Sequence, residues 1–375
     1  MTSKPYKVGV TGPRGFIAGG LINRLRHDDR FELVDWPRSV WESMAELEQR
    51  TKQCDVIVHL AGMNRGDDDE IYQTNVALAE RLSTACRNSD AKPHIINVSS
   101  TQREAENAYG KSKRHAEELL NEWAEESEAP VTSLILPNIY GAGCKPYYNS
   151  VVATFCHKLA NGERPEVKED REVEFLWIND LVDEIVGYIT DPTPARKTLR
   201  LKGVDRITVQ GLCDTLTGFR DDYFERNVVP ELGDRFRANL YSTFLSYLEL
   251  DQHRHCPPLH QDDRGDLCEI IKLAGGGQVF FSTTKPGVIR GNHYHTRKVE
   301  WFCVVKGEGA IRLRRIGDDQ VREFRVSGAK PEFISIPVLH THSIENVGSE
   351  ELLTMFWCNE IFDAEDADTH FEKVA

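Results

Sequence analysis

Three histidines and one glutamate in the carboxy-terminal third of the sequence have the types and spacing of a metal site. His293 and His295 are two residues apart, so on a strand both side chains project to the same face. Glu300 can return on the next strand to meet them, and His342 supplies a further imidazole. These ligand types suit zinc, iron, nickel or manganese. We predict a divalent metal, with zinc as the first expectation.

A tyrosine and a lysine in the amino-terminal half are spaced for proton transfer. Tyr109 and Lys113 are four residues apart and therefore lie on one face of a predicted helix. A phenol with a pKa of about 10 is a poor acid at neutral pH, but a neighbouring cation lowers that pKa toward the working range. Ser100 ends a predicted strand just upstream, so its hydroxyl can orient a substrate carbonyl. The three residues predict acid–base chemistry on a carbonyl group.

A glycine turn near the start of the chain has the spacing of a phosphate cradle. Gly12 and Gly15 follow the first predicted strand and open the first helix, where unpaired backbone amides can bind a pyrophosphate. Asp35 ends the second apolar run, where a carboxylate can bind the adenosine ribose, or it is a plain turn residue. Arg38 could pair instead with a 2'-phosphate. We therefore predict a nicotinamide dinucleotide, NADP(H) by expectation, with NAD as the open alternative.

The elements that must hold these residues differ between the two ends of the chain. The amino-terminal part alternates apolar runs with amphipathic stretches, which is typical of a doubly wound parallel sheet. Its predicted strands are 7–11, 31–35, 55–60, 94–99 and 131–137, and its longest predicted helices are 71–88 and 108–129. Beyond Gln261, short alternating segments predict an all-β barrel or sandwich. The strands predicted there are 278–283, 300–306, 310–315 and 352–357.

Length and composition indicate a globular protein of two domains. At 375 residues the chain is too long for one ordinary core, and we place the domains at 1–248 and 249–375. The formal net charge of -14 argues against nucleic acid or an anionic membrane surface as partner. No apolar stretch approaches the ~18 residues that a bilayer requires, so we expect a cytoplasmic protein. The nine cysteines show no C-x-x-C spacing, which predicts reduced thiols.

The first ~190 residues resemble the extended short-chain dehydrogenase/reductase family. The motifs that carry the resemblance are Thr11-Gly12-x-x-Gly15-Phe16-Ile17, His59-Leu-Ala-Gly62, Ser99-Ser100, Tyr109-x-x-x-Lys113 and Leu136-Pro-Asn138-Ile-Tyr140-Gly141. The resemblance implies that Ser100, Tyr109 and Lys113 are catalytic. It implies cofactor contacts at Gly12, Gly15, Phe16, Ile17, Asp35, Arg38, Tyr109 and Lys113. Thr101-Gln102 replaces the Asp-Glu pair of family members that eliminate water, which disfavours a dehydratase.

The histidine segments resemble the two motifs of the cupin family. The first motif covers Gly287, His293, His295, Glu300 and Gly307, and the second covers Pro337, His342 and Asn346. Leu339 stands where the second motif normally has glycine. The resemblance implies a small barrel that holds a metal ion.

The order of the two parts, together with residues 144–156 and 240–247, is similar to the bifunctional capsular polysaccharide enzymes of the CapF/WbjC family. That similarity implies C3 epimerisation of a UDP-2-acetamido-2,6-dideoxy-4-hexulose in the cupin domain, followed by NADPH-dependent reduction of the C4 ketone. The product would be UDP-N-acetyl-6-deoxy-L-talose, on the pathway to UDP-N-acetyl-L-fucosamine. We also expect a homodimer.

Several assignments stay open at this point. Predicted contacts to the UDP-sugar are Asn138, Lys145, Tyr148, Asn149 and Arg171, each of which also reads as an ordinary surface residue. Tyr294 and His340 are candidate bases for the epimerisation only because they neighbour ligands. One alternative function is a single-activity reductase with a non-catalytic metal module for sensing or dimerisation. Another is a cupin dioxygenase fused to a reductase.

Overall fold

The computed structural model describes residues 4–191, 193, 195–256, 260–262, 265–267, 272–274, 278–360 and 365–375. The chain divides into two compact units. The first unit comprises Met1–Ile139 and Val173–Arg206, and the second comprises Tyr140–Glu172 and Ile207–Ala375. The second unit therefore also contains residues 140–172 and 207–248, which the sequence analysis assigned to the amino-terminal domain. The boundary at 248/249 as the limit of an independently folding domain stays a prediction.

The first unit is built on a parallel sheet. Its strands are β1 (Tyr6–Val10), β2 (Phe31–Val34), β3 (Val56–His59), β4 (His94–Ser100), β5 (Val131–Leu136) and β8 (Lys197–Arg200). They run in the order β2-β1-β3-β4-β5-β8, and all five pairings are parallel. Every residue of β3 and β5 is buried, as expected where helices cover both faces of a sheet. The predicted Rossmann-type sheet is confirmed.

Five α-helices accompany this sheet: α1 (Phe16–Arg26), α2 (Met44–Gln53), α3 (Asp68–Ser89), α4 (Ala108–Ser127) and α6 (Ile178–Ile189). The predicted helices at 71–88 and 108–129 correspond to α3 and α4. Side chains of α2, α3 and α4, among them Leu47, Leu82 and Trp123, form one apolar cluster with Ile57 and Ile95 of the sheet. That cluster fixes α3 and α4 relative to the ends of β3 and β4, where the chemistry was predicted.

The second unit begins with helices that the sequence did not predict. They are α5 (Val151–Ala160), α7 (Val209–Asp221) and α8 (Arg235–Leu245), and a π-helical turn follows α7 at Asp222–Arg226. All residues of α8 from Asn239 to Leu245 are buried. A helix buried on every side has no polar face, so it lacks the amphipathic period on which prediction depends. Three short strands contain the points where the chain passes between units: β6 (Asn138–Tyr140), β7 (Glu172–Trp177) and β9 (Asp205–Thr208).

The other regular elements described in the second unit are β-strands and one 3-10 helical turn, Leu250–His253. Its short strands are β10 (Val228–Val229), β11 (Arg254–His255), β12 (His260–Asp262), β13 (Gly265–Leu267), β14 (Lys272–Leu273) and β23 (His370–Phe371). Its longer strands are β15 (Gln278–Thr284), β16 (Ile289–Tyr294), β17 (Glu300–Lys306), β18 (Glu308–Arg315), β19 (Val321–Ser327), β20 (Phe333–Ile336), β21 (His340–Asn346) and β22 (Leu352–Cys358).

Two antiparallel sheets of five strands face each other across one core. Their orders are β11-β20-β17-β22-β15 and β19-β18-β21-β16-β23. Phe302, Ile334 and Phe356 of one sheet pack with Ile311 and Ile344 of the other. The prediction of an all-β carboxy-terminal part is confirmed.

No described helix is both long and apolar enough to cross a membrane. The eight cysteines that the structure describes are free thiols, as predicted.

Candidate functional site

The predicted phosphate cradle lies between β1 and α1. Gly12 has a φ of +65°, and a Cβ there would lie 3.1 Å from Cα of Ala61, so the position requires glycine. The amide of Gly15 donates to the carbonyl of Gly12 at 2.9 Å and closes the turn. Phe16 and Ile17 form the half-buried first turn of α1, and the N-cap residue, Gly15, has no side chain that could cap that helix. Its first amides are therefore available to an anion.

Thr11 fastens this turn to the neighbouring strand. Its buried hydroxyl accepts hydrogen bonds from the amides of Leu60 (3.0 Å) and Ala61 (2.9 Å). The hydroxyl proton is then left to donate to Nδ1 of His59 at 3.1 Å. Burial and the charge of Lys113 lower the pKa of His59 to about 3, so this ring is neutral and can accept. The sequence analysis noted these residues as motif members but did not predict the network.

Asp35 and Arg38 follow β2, the neighbour of β1 in the sheet. The carboxyl ends of parallel strands share one edge, so both residues lie at the same edge as the glycine turn. Both side chains are exposed. Their placement fits recognition of an adenosine ribose or its phosphate and leaves NAD and NADP as alternatives.

The structure brings Lys113 to Tyr109 and to the end of β4. Nζ of Lys113 lies 5.8 Å from the centre of the Tyr109 ring and donates to the carbonyl of Val98 at 3.2 Å. Burial lowers the pKa of Lys113 to about 8. Ser100 is the last residue of β4, and its Oγ accepts from the amide of Gln102 at 3.2 Å. A hydroxyl, a phenol and a buried amine thus lie on adjoining elements.

Two residues that the sequence analysis missed shape this site. Asn75 on α3 is buried, and its amide nitrogen donates to the carbonyl of Met63 (2.8 Å) and to Oγ of Ser112 (2.9 Å). A Cβ on Gly110 would lie 2.2 Å from the carbonyl oxygen of Ala105, so glycine lets the segment after Ser100 pack on α4. The available signal for Gly110 was a glycine in the first turn of a predicted helix. An asparagine inside an amphipathic helix gives no comparable signal.

The predicted substrate contacts are distributed over both units. Asn138 is exposed in the first unit, and its amide donates to the carbonyl of Glu174 at 3.3 Å. In the second unit, Nζ of Lys145 lies 5.7 Å from the ring centre of Tyr148. Asn149 has a φ of +57° and precedes α5, while Arg171 is exposed beside the start of α7. The roles of these five residues as substrate contacts stay predictions.

A β-bulge aims the first histidine of the predicted metal group. The register of β16 against β21 shifts between Gly291 and His293, so Asn292 is the extra residue. Gly291 and Asn292 have φ values of +95° and +61°. The bulge sets His293 directly opposite His342. Strand alternation, which the sequence analysis used, does not by itself give this arrangement, because β16 ends before His295.

The four predicted ligands converge. One possible ligand atom from each of His293, His295, Glu300 and His342 lies within 4.8 Å of the others. Nε2 of His295 and Nε2 of His342 are each 3.2 Å from Oε2 of Glu300. Two donors bound to one tetrahedral zinc ion are about 3.3 Å apart, given metal–ligand bonds of about 2.0–2.1 Å.

Hydrogen bonds at Nδ1 of His295 and His342 determine what the Nε2 atoms of these two rings offer to Glu300. Nδ1 of His295 donates to the carbonyl of Asp368 (2.6 Å), and Nδ1 of His342 donates to the carbonyl of His340 (3.2 Å). A carbonyl only accepts, so when either ring carries a single proton that proton lies on Nδ1, and the Nε2 lone pair is the one that faces the carboxylate. Neither Nε2 nor Oε2 of Glu300 has a hydrogen-bond partner within the described ranges. Two such lone pairs and the carboxylate oxygen would be three buried acceptors in contact, and a cation among them would remove their repulsion.

The protonation of the remaining groups suits a metal site. Burial and the neighbouring imidazoles lower the pKa of His293 to about 4, so the ring is neutral at physiological pH. Burial raises the pKa of Glu300, but hydrogen bonds and charge from protonated His295 and His342, a positive charge that a metal ion would replace, hold the pKa of this carboxyl well below its usual range. Neutral imidazoles and an ionised carboxylate are the forms that bind a divalent ion.

The residues beside the ligands are themselves packed. Tyr294 is fully buried and stacks on His370, with ring centres 5.1 Å apart. Nδ1 of His340 donates to the carbonyl of Val338 at 2.9 Å, and burial lowers the pKa of His340 to about 4. Leu339 has a φ of +57°, the conformation that glycine normally supplies at this position of the motif. The roles of Tyr294 and His340 as candidate bases stay predictions.

Two family models match the chain in the order of its two parts. The NAD dependent epimerase/dehydratase family matches residues 8–198. The polysaccharide biosynthesis C-terminal domain matches residues 260–370. A UDP-2-acetamido-2,6-beta-L-arabino-hexul-4-ose reductase from Pseudomonas aeruginosa is 34% identical over 366 residues, which is 97% of this chain and 98% of that protein.

Solved structures of similar proteins cover nearly the whole chain. The capsular polysaccharide assembling protein CapF from Staphylococcus aureus is 37% identical, with a TM-score of 0.64, over 98% of this chain and 100% of that one. A structure of CapF with the inhibitor 3-isopropenyl-tropolone is 34% identical, with a TM-score of 0.60 and the same coverage. The chain belongs to the CapF family and, through residues 8–198, to the NAD dependent epimerase/dehydratase family.

Proposed function

We propose that this chain is a sugar-nucleotide reductase of capsule biosynthesis that also epimerises its substrate. In this proposal the second unit inverts C3 of a UDP-2-acetamido-2,6-dideoxy-4-hexulose. The first unit then reduces the C4 ketone with NADPH to give UDP-N-acetyl-6-deoxy-L-talose. The name of the Pseudomonas aeruginosa relative, a reductase of a UDP-linked hexul-4-ose, supports the substrate class.

The reduction depends on the groups at the end of β4 and the start of α4. A reduced nicotinamide bound beside Gly12, Gly15, Phe16, Ile17, Asp35 and Arg38 supplies the hydride for C4. Tyr109 donates its phenolic proton to the C4 oxygen, while Ser100 orients that oxygen by a hydrogen bond. Lys113, held by the carbonyl of Val98, stabilises the phenolate that remains. Hydride at carbon and proton at oxygen together convert the ketone to an alcohol.

The observation that supports the second activity is the close contact of two imidazoles with one carboxylate: Nε2 of His295 and Nε2 of His342 each lie 3.2 Å from Oε2 of Glu300. His293, His295, Glu300 and His342 would each offer one donor atom to the ion. A divalent ion held there supplies positive charge near the C4 oxygen, which lowers the energy of the negative charge that forms when C3 loses its proton. A base removes the C3 proton and a proton returns to the opposite face, so the centre inverts without net oxidation. Tyr294 or His340 is the proposed base.

Recognition of the nucleotide sugar is proposed for exposed residues in both units. Asn138, Lys145, Tyr148, Asn149 and Arg171 offer an amide, cations and an aromatic ring, the groups suited to diphosphate and uracil. The association of Lys145 with Tyr148 supports this assignment for two of them. A homodimer is proposed as the working assembly.

Two variants test the two activities separately. His293→Ala removes one metal ligand, and Tyr109→Phe removes one phenolic proton. Incorporation of solvent deuterium at C3 without NADPH measures epimerisation, and NADPH consumption with the already epimerised ketone measures reduction. We expect His293→Ala to lose deuterium exchange and keep reduction, and Tyr109→Phe to show the reverse. Absence of exchange in the wild-type chain would instead support a reductase with a non-catalytic metal module, and exchange at the wild-type rate in His293→Ala would show that epimerisation does not need this ligand.

A further inference from the structure

A single buried carboxylate holds the loop that joins two of the proposed ligands. Residues 296–298 belong to the four-residue segment that connects His295 to Glu300. The carboxylate of Asp368 accepts from the amides of Thr296 (3.1 Å), Arg297 (2.8 Å) and Lys298 (2.9 Å) and from the Thr296 hydroxyl (2.6 Å). Three consecutive amides directed at one anion form a tight backbone cradle. The carboxylate thereby fixes the spacing between the second and third ligands.

The backbone of the same residue acts on a ligand directly. The carbonyl of Asp368 accepts from Nδ1 of His295 at 2.6 Å. When the ring carries one proton, this bond keeps that proton on Nδ1 and leaves the lone pair of Nε2 facing Glu300. Asp368 has a φ of +41°, a conformation that aspartate tolerates better than most residues. One residue therefore sets both the loop conformation and the orientation of an imidazole.

Asp368 is the first residue of a segment, residues 368–374, that we call the C-terminal strap. Its strand β23 pairs with β16, so His293 lies opposite Phe371. The guanidinium of Arg314 binds the Glu372 carboxylate (2.8 Å) and the carbonyls of residues 373 (2.8 Å) and 374 (3.0 Å). Val374 is buried, and the amide of Glu372 donates to the carbonyl of Asn292 at 2.9 Å. The strap is thus anchored at both ends beside the bulge that aims His293.

We propose that Asp368 is a positioning residue for the metal centre, acting through the 296–298 loop and through the tautomer of His295. This inference rests on the proposed metal site. Partners that orient metal-bound histidines typically change metal affinity about 10- to 100-fold when they are removed. The strap would then couple the extreme carboxy terminus to metal retention.

The test compares Asp368→Asn with Asp366→Asn as a matched control. Asp366 lies two residues away, is exposed, and pairs with Arg297 at 2.7 Å, an ion pair that the Glu360 carboxylate can replace. Zinc affinity of the full chain is measured by competition with a chromophoric chelator, and the absorption spectrum of the Co²⁺ form reports ligand geometry. We expect Asp368→Asn to bind zinc about 10- to 100-fold more weakly with an altered Co²⁺ spectrum. Asp366→Asn should match the wild type in both measurements.

The outcomes separate this inference from the function on which it rests. Failure of the wild-type chain to bind zinc would overturn the metal centre and the role of Asp368 together. Unchanged zinc affinity and Co²⁺ spectrum in Asp368→Asn would overturn the role of Asp368 alone. If Asp368→Asn does not fold, Thr296→Val, which deletes only the hydroxyl's hydrogen bond, should weaken zinc binding about two- to tenfold. Wild-type affinity in that variant would also refute the inference.

Discussion

Replacing Thr11 with valine removes one hydroxyl while it preserves the shape of a fully buried side chain. That hydroxyl serves the amides of Leu60 and Ala61 and Nδ1 of His59. A buried polar group without a partner costs about 1–3 kcal/mol. The two amides belong to half-buried residues, so water can satisfy part of their loss, and each is placed near the low end of that range. We therefore expect Thr11→Val to lower the free energy of unfolding of the first unit by about 3 kcal/mol.

The matched control is Thr11→Ser, which keeps all three hydrogen bonds and loses one methyl group, a change of about 1 kcal/mol. The two units need not unfold together, so a single transition cannot be assumed. Urea unfolding should therefore be combined with hydrogen exchange of peptides that cover residues 56–63. The reasoning is refuted if Thr11→Val is no less stable than Thr11→Ser, or if exchange in this segment is equal in the two variants.

Three further outcomes are expected. Gly110→Ala should lower reductase activity and should lower the free energy of unfolding by about 1–3 kcal/mol, because the new Cβ would lie 2.2 Å from the carbonyl oxygen of Ala105. Lys111→Ala is the control. Equal thermal melts and equal activities in the two variants would contradict this prediction. Acid should weaken the first unit, because burial lowers the pKa of His59 to about 3 and that of His94 to about 4, from 6.5. As the pH falls, the unfolded chain therefore binds protons at a higher pH than the folded chain does. The full contribution of each histidine to the free energy of unfolding is present above about pH 6.5, and about 2–3 kcal/mol per histidine is lost at pH 4.5. Urea titrations above about pH 6.5 and at about pH 4.5 measure this loss. Chelation should lower the melting temperature of the second unit and added zinc should restore it, since free metal at 100 times its Kd stabilises by about 2.7 kcal/mol; an identical melt after chelation would count against a bound ion.

Much of the framework was predictable because burial leaves a direct trace in sequence. Strands β1 to β5 are apolar runs, and no predicted end of these strands differs from the structure by more than one residue. The convergence of the four proposed ligands was visible in the sequence for a similar reason, while their role as metal ligands stays a prediction. Residues Glu300 and His342 begin or nearly begin strands of an alternating pattern, and the strand period fixes the face on which each side chain lies.

The contacts that orient the site were not predictable, because they depend on single residues far apart in sequence. Asp368 follows the loop that it holds by about seventy residues, and its contribution comes partly from a backbone carbonyl that any residue could supply. In the sequence, Asn292 resembles any polar residue within a strand, and only its φ and the pairing of β16 show that it forms a bulge. Thr11 appears as a small residue before a glycine, yet its position beside His59 depends on the pairing of β1 with β3.

Leu339 shows why backbone geometry carries more information here than residue identity. A left-handed conformation costs an ordinary residue about 1–2 kcal/mol, and glycine avoids that cost. The amide of Leu339 donates to the carbonyl of His295 at 2.8 Å, and its own carbonyl accepts from the amide of Ile316 at 2.9 Å. These two bonds hold the turn immediately before β21, the strand that presents His342. Because the surrounding backbone stabilises the strained conformation, leucine can occupy the position, and a sequence pattern that demands glycine there would reject a chain whose ligands still converge.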